Sequence, residues 1–423
     1  MIAIKKATRM TLTRKLLPLL AILATSHAHA TDGYFAHGYG VKSQGMGGVG
    51  IALPQDALAA AANPAGMGLI GDRADIGVTW FRPQRESEIS GVGPGVDGKY
   101  DANDAENFII PEFGYKRVIN PDVTLGVSVY GNGGMNTDYK KAIPLFGNTA
   151  PRMDLIQLFV APTATWKINE SNTVGVAVNL AYQRFEIKGL QNFASPASAH
   201  PDNVTNKGYD SSYGAGVHIG WIGRVNDAVT LGATYQSKTY MSKFDKYKGL
   251  FAENGDFDIP ETYGLGIAVK ATPALTLAAD VQRINYGDVD SVGNSVNNLF
   301  INGQQLGSKN GPGFAWKDVT AVKVGASYAW NDSLTIRAGY NHASQPIRSG
   351  ETLFNILAPG VVQDHATLGA TYVLPNQSEI SFSYMHAFEE KVKGSGSIPF
   401  IPGAEANLKM YEDSLGIAYG WKL

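Results

Sequence analysis

From about residue 72 onward the chain alternates apolar with small or polar positions at a period of two. Val123, Leu125, Val127 and Val129 alternate with Thr124, Gly126, Ser128 and Tyr130, and Val174, Val176, Val178, Leu180 and Tyr182 with Gly175, Ala177, Asn179, Ala181 and Gln183. The same rhythm sets Val322, Val324, Ala326, Tyr328 and Trp330 against Lys323, Gly325, Ser327 and Ala329, and Leu334, Ile336, Ala338 and Tyr340 against Thr335, Arg337, Gly339 and Asn341. Such alternation predicts strands with one apolar and one small or polar face. The connections between them switch between short and long. Short ones centre on Asn120-Pro121-Asp122, Asn169 to Asn172, Asn226-Asp227, Thr272-Pro273, Asn331 to Ser333 and Pro375 to Ser378. Long ones span roughly 84–106, 132–153, 187–210, 245–258, 287–315, 343–364 and 389–412. Six short and seven long connections join fourteen strands running up and down. Short turns on one side, long loops on the other and an even strand count are the plan of an outer-membrane barrel.

A soluble sandwich also alternates, and three features argue against it. The apolar face often ends in Tyr or Trp near a turn, as an interfacial aromatic belt does. The opposite face is rich in Gly and Ala, as a crowded lumen requires. The C-terminal run Ser414 to Trp421 has the polar-x-Gly-x-x-aromatic-x-aromatic layout that resembles an outer-membrane insertion signal, although Lys422 and Leu423 follow it. The expected fold is therefore an all-β, 14-stranded antiparallel transmembrane β-barrel.

Residues 1–30 read as a secretory signal peptide. Lys5, Lys6, Arg9, Arg14 and Lys15 form a basic region, Leu16 to Ala24 an apolar core, and Ala28-His29-Ala30 a small-x-small cleavage site. The apolar core is far short of the about 20 residues a spanning helix needs. Removing this leader takes the 35 lysines and arginines to 30 against 37 acids, a formal net charge of −7. That balance argues against a nucleic-acid partner, which wants a basic face. The absence of cysteine excludes disulfides, thiolate metal sites and cysteine catalysis, and suits passage through an oxidising periplasm.

Residues 31–72 lack the two-residue alternation of the strand region. They open Thr31-Asp32-Gly33-Tyr34-Phe35, run through a glycine-rich stretch to Gly50, then give a short helical piece, Gln55 to Ala62, before Asn63-Pro64-Ala65-Gly66. Proline disfavours helix at the residue before it, which ends that piece at Asn63. Fourteen strands enclose more room than the eight-stranded barrels that side chains fill. This segment is the expected plug of the lumen, and residues 73–423 the barrel.

A Gly-rich opening, a short Ala-rich helix and Asn63-Pro64-Ala65 before a fourteen-stranded barrel resemble the FadL family of outer-membrane long-chain fatty-acid and hydrocarbon transporters. Weaker echoes are Leu231 to Ser237, Ile259-Pro260-Glu261 and Thr335 to Tyr340. The resemblance implies an N-terminal hatch carrying Asn63, Pro64 and Ala65, and passive transport. External loops capture a hydrophobic ligand, the hatch shifts, and the ligand leaves sideways beside a kinked third strand. Gly131, Gly133 and Gly134 are the candidates for that kink, with a flexible loop start as the alternative. Phe35 joins the candidate ligand contacts. The implied surroundings are outer-membrane lipid, lipopolysaccharide and the barrel-insertion machinery.

A fatty-acid ligand calls for a cation among apolar walls. Strand parity turns His218, Lys270, Lys323 and Arg337 toward the lumen, with Lys323 the first head-group candidate and Arg337 the second; pairing with lumen acids such as Asp280 is the structural alternative. A neutral hydrocarbon needs none of them, and the residues leave both ligand classes open. Leu145-Phe146, Leu250-Phe251, Leu353-Phe354 with Ile356-Leu357, and Ile398 to Ile401 are apolar clusters in loops, where ligand contact and loop packing compete as explanations.

Other signals point nowhere. Gly45 to Gly50 spells G-x-G-x-x-G, but no strand precedes it and Pro54 follows at once, so no cofactor is expected. His342 and Ser344 lack a nucleophile elbow, so no enzyme is expected. Asp101, Asp104 and Glu106, and Glu253, Asp256 and Asp258, lack the spacing of a calcium loop, so no metal is expected. An adhesin and a diffusion porin are the remaining rivals.

Overall fold

A computed structural model describes residues 32–423; the expected signal peptide lies outside the described residues. Fourteen strands form the wall. β1 is Arg73–Ser90, β2 Phe108–Val118, β3 Val123–Asp138, β4 Arg152–Asn169, β5 Asn172–Lys188, β6 Asp210–Arg224 and β7 Val229–Gln236. β8 is Thr262–Lys270, β9 Leu275–Ile284, β10 Val319–Ala329, β11 Leu334–Ala343, β12 Asp364–Val373, β13 Glu379–Val392 and β14 Glu405–Lys422. Each pairs antiparallel with its neighbours in sequence, and β14 pairs with β1 from Arg73↔Lys422 to Ser90↔Glu405, which closes the barrel. Two short strands, Gly98–Asp101 and Tyr240–Met241, fold back onto β1 and β6.

The two faces separate as the alternation requires. Leu125, Val176, Leu180, Leu265, Val324, Ile336 and Tyr340 are exposed on the outer face. Thr124, Ser128, Asn179, His218, Lys323 and Asn341 are buried inside. An apolar side chain left facing outward in every strand is stable only where lipid covers it. Among the described residues no helix is long and apolar enough to cross a membrane.

Several strands outrun the spans read from the alternation. β1 continues to Ser90, β3 to Asp138 and β13 to Val392, and β14 begins at Glu405. In these extensions the pattern inverts: Ile89, Met135, Leu408 and Met410 are buried inside, while Glu86, Glu88 and Lys409 face out. Above the bilayer the outer face meets water and the inner face packs under the loops, so the polarity of each face switches and the strand signal is lost.

Residues 32–70 sit inside the lumen. Their backbone approaches strand glycines around the ring so closely that a Cβ would collide: Gly45 against Gly369, Gly47 against Gly339, Ile51 against Gly232 and Pro64 against Gly175, while the Asn63 side chain takes the space at Gly220. These contacts are the physical reason for the glycine-rich inner face. In place of one short helix over Gln55–Ala62 there are two 3-10 segments, Ala59–Ala61 and Pro64–Leu69, and one helical turn at Val41–Gln44. Asn63 is extended (φ −157°, ψ 112°), as its place before proline demands. Its side-chain amide donates to the carbonyls of Ile51 (2.8 Å), Trp221 (3.1 Å) and Ala233 (3.3 Å), and its Oδ1 accepts from the Ala65 N–H (3.1 Å). One side chain thus fastens the segment to itself, to β6 and to β7.

Candidate ligand cavity and lateral gap

Three of the four apolar loop clusters converge. Phe146, Leu250-Phe251 and Phe354 with Leu357 meet Phe193 and Phe314, over Phe185 of β5, around a cavity of ≈ 40 Å³. The rings pack on one another: Phe185–Phe251 at 4.7 Å between centroids, Phe193–Phe354 at 5.5 Å and Phe146–Phe193 at 6.0 Å. No charged side chain lines this cavity, and its one side-chain hydroxyl, on Ser291, already donates to the Asp256 carbonyl at 2.5 Å. The fourth cluster does not line the cavity but adjoins it: Ile398 is buried, and Phe400 packs on Phe300 at 4.7 Å, which in turn meets Phe354 at 6.1 Å.

A file of rings leads from the cavity into the barrel. Phe251 touches Phe257 (4.8 Å), Phe257 faces Tyr34 (6.3 Å), and Tyr34 adjoins Phe35 (5.4 Å). Tyr286 and Trp316 flank Tyr34 at 4.8 and 5.7 Å. The Tyr286 hydroxyl accepts from the N–H groups of Tyr34 and Phe35 and donates to the Asp32 carbonyl at 2.6 Å. Gly33, at φ +76°, passes so near that ring that no other residue fits. Neither Tyr286 nor Trp316 was marked by the sequence, where each is a lone aromatic beside a long loop.

The file ends at a gap in the wall. β2 and β3 pair from Val118↔Thr124 only as far as Phe113↔Val129. Above that level β2 pairs with β1, and β3 with β4 through a register shift between Gly131 and Gly133. The strand continues through these glycines to Asp138, so the segment is a bulged strand and not the start of a loop. The freed edge of β3 is taken up by the N-terminal segment. Phe35 bridges Gly133, the Gly134 N–H donates to the Tyr34 carbonyl (2.9 Å), and the Ala36 N–H donates to the Asn132 carbonyl (3.2 Å).

The cationic candidates are engaged elsewhere. Lys323 Nζ lies 3.0 Å from Asp32 Oδ2 and donates to the His37 carbonyl (2.8 Å) and Gln282 Oε1 (3.2 Å), with both charges buried. Its acid is Asp32, whereas Asp280 accepts from the N–H groups of Gly50 and Ile51. Arg337 donates to Gln55 Oε1 and Thr371 Oγ1, and His218 Nε2 lies 2.6 Å from Thr234 Oγ1. None of the three lines the cavity. Arg85, buried and bonded to the carbonyls of Asn136 and Ala105, belongs to the inverted extension of β1, where the alternation gave no sign of it.

Two of the external acids are held in ion pairs. Asp101 pairs with Lys140 at 2.7 Å, and Glu106 with Arg82 at 3.2 Å. Burial, and then Asp258 beside it, push the Asp256 carboxyl up to about 6. A carboxyl raised by folding adds stability that is fully present below its unfolded value near 4 and lost as pH rises through about 6. Hydrogen exchange in residues 252–258 is therefore expected to be better protected at pH 5 than at pH 7.5, after correction for intrinsic rates. Asp256→Asn should remove the difference.

Comparison with solved structures returns barrels of the same architecture. The P. putida toluene transporter TodX matches at TM-score 0.69 and 18% identity over 92% of this chain and 99% of its own. The Ralstonia pickettii toluene transporter TbuX matches at 0.65 and 18% over 92% and 99%, and a Pseudomonas aeruginosa FadL homologue at 0.66 and 16% over 92% and 98%. No curated protein matches the sequence. Residues 23–399 match the family described as "Outer membrane protein transport protein (OMPP1/FadL/TodX)", which covers most of the chain. With the closed 14-stranded wall and its outward apolar face, this match establishes that the chain belongs to the OMPP1/FadL/TodX family of outer membrane transport proteins.

Proposed function

We propose that this protein passively admits uncharged hydrophobic molecules, aromatic hydrocarbons foremost, through the loop cavity and out of the gap beside β3. The observation that carries this reading is the lining of the cavity: six phenylalanine rings with aliphatic neighbours and no cation. A carboxylate placed there would be desolvated without a partner. Lys323 is already committed to Asp32, so it supports a structural role. That solved relatives are named as toluene transporters agrees with this choice.

The N-terminal segment acts as the hatch, held at its tip by Tyr286, Lys323 and β3 and at its base by Asn63-Pro64-Ala65. A ligand moving along the ring file displaces Tyr34 and Phe35, which frees the edge of β3 and the gap it lines. No energy input enters this scheme. Lipid and lipopolysaccharide surround the barrel.

Uptake of labelled toluene and labelled oleate, measured side by side in cells lacking their own such transporter, tests the reading. Toluene uptake is expected to dominate. Phe251→Asp, which puts a charge at the head of the ring file, should lower it by about tenfold, since roughly 1.4 kcal/mol of lost affinity suffices. Oleate uptake that Lys323→Gln abolishes, with toluene excluded, would instead establish a fatty-acid transporter with a cationic head-group site.

A further inference from the structure

The closing seam of the barrel carries three tiers of side chains on its outer face. The lowest is an apolar hollow in the lipid-facing wall of β12, β13 and β14, between Leu368, Phe382, Tyr384, Leu415 and Ile417. Above it, the Asp413 carboxylate receives the Tyr384 hydroxyl (2.8 Å) and lies against His386 Nδ1 (2.9 Å), and strand register sets Arg82 beside Asp413. The third tier is a polar groove on the extensions of β1, β13 and β14. Its charged lining is four lysines, Lys99, Lys391, Lys393 and Lys409, against two glutamates, Glu86 and Glu88. Glu86 lies 3.3 Å from Lys99 and 3.7 Å from Lys409, and Glu389 lies 2.9 Å from Lys391 and 3.6 Å from Lys409. These pairs hold the ammonium groups in one outward array. Each ammonium carries three donors, so pairing with one carboxylate leaves others to bind an anion.

We propose that this seam binds one lipopolysaccharide molecule from the outer leaflet. Its acyl chains would fill the hollow. Its lipid A phosphates would reach the groove lysines, with His386 and the Glu106-paired Arg82 at the junction between chain and sugar. Charge complementarity favours that occupant: with Glu389 counted, four lysines still outnumber three glutamates, on a chain of net negative charge and directly above a lipid-facing hollow. A neutral phospholipid would use the hollow and leave the lysines unserved. The site lies on the wall outside the cavity and the gap, so it stands or falls independently of the transport reading.

Native mass spectrometry of the detergent-solubilised barrel, titrated with bisphosphorylated and with dephosphorylated lipid A, tests the proposal. Wild type should prefer the phosphorylated form by about tenfold, equivalent to ~1.4 kcal/mol. The variant with Lys99, Lys391, Lys393 and Lys409 all changed to Gln should lose that preference. A control with the exposed loop lysines Lys140, Lys207, Lys246 and Lys309 changed to Gln should keep it. Equal binding of the two lipids by wild type, an unchanged preference in the groove variant, or an equal loss in the control would overturn the assignment. Heat-modifiable mobility on gels establishes that each variant is folded.

Discussion

The oxidised Ala36→Cys/Asn132→Cys variant is expected to fold and insert normally while taking up toluene at no more than about a tenth of its reduced rate. The pair sits where the N-terminal segment adds itself to the freed edge of β3, through the Ala36 N–H to Asn132 carbonyl bond next to the Phe35–Gly133 bridge. Directly opposed residues of an antiparallel pair have Cα atoms about 4.5–5.5 Å apart, inside the range that a disulfide spans. The chain contains no cysteine, so the new thiols have no competing partner. A crosslink stabilises the joined state by about 2–4 kcal/mol, enough to hold the released form to a few per cent or less of its former population. Substituting Asn132 also removes its bonds to Gln157 and Tyr39, which is why the comparison runs between oxidised and reduced forms of one variant. Uptake that ignores the redox state, in protein shown to be crosslinked by mass, would mean that ligands leave by a route that does not require the N-terminal segment to part from β3.

The wall was legible in the sequence because lipid imposes one rule on every strand. An outward position that meets hydrocarbon must be apolar, and Val176, Val324 and Ile336 obey it. The strand extensions above the bilayer escaped because the rule reverses there. Ile89 and Met410 turn inward while Glu88 and Lys409 turn out, which reads locally as loop. The cavity was half legible. Phe146, Phe251 and Phe354 stood out as apolar residues in polar loops, but their convergence depends on how five loops fold over one another. Least legible was the role of Lys323. Parity placed it in the lumen correctly, yet a cation's partner is set by which residue of the plug arrives opposite it. The resemblance did not reach the bond between Lys323 and Asp32, 291 positions apart in the chain. Gly131, Gly133 and Gly134 show the same limit: glycine marks a departure from regular pairing, but the tertiary ladder decides between bulge and loop.

Lys323→Met should raise toluene uptake and channel leak, the reverse of what loss of a head-group site would do. The substitution removes the countercharge of Asp32, a residue with 0% exposure, and leaves a carboxylate buried at the tip of the N-terminal segment. Breaking a buried ion pair from one side destabilises by about 3–5 kcal/mol, because the remaining charge has lost its partner but not its desolvation. Asp32 keeps its bond from Asn341 Nδ2 (2.7 Å), and its carbonyl keeps the Tyr286 hydroxyl, so part of that penalty is relieved locally. The rest is relieved by withdrawing Asp32 toward water, which also draws Tyr34 and Phe35 off the edge of β3. Even the lower figure multiplies the released population roughly a hundredfold. Conductance of the purified variant in planar bilayers should show the leak directly. Asp32→Asn/Lys323→Met, in which neither charge remains, should return conductance and uptake close to wild type, since replacing both partners of a buried pair is often near neutral. If the single variant instead loses oleate uptake and stays as tight as wild type, Lys323 serves a ligand carboxylate and the ion pair with Asp32 is the resting state of a fatty-acid site. If the double variant leaks as much as the single one, the anchoring belongs to the Lys323 contacts with His37 and Gln282 and not to the charge pair.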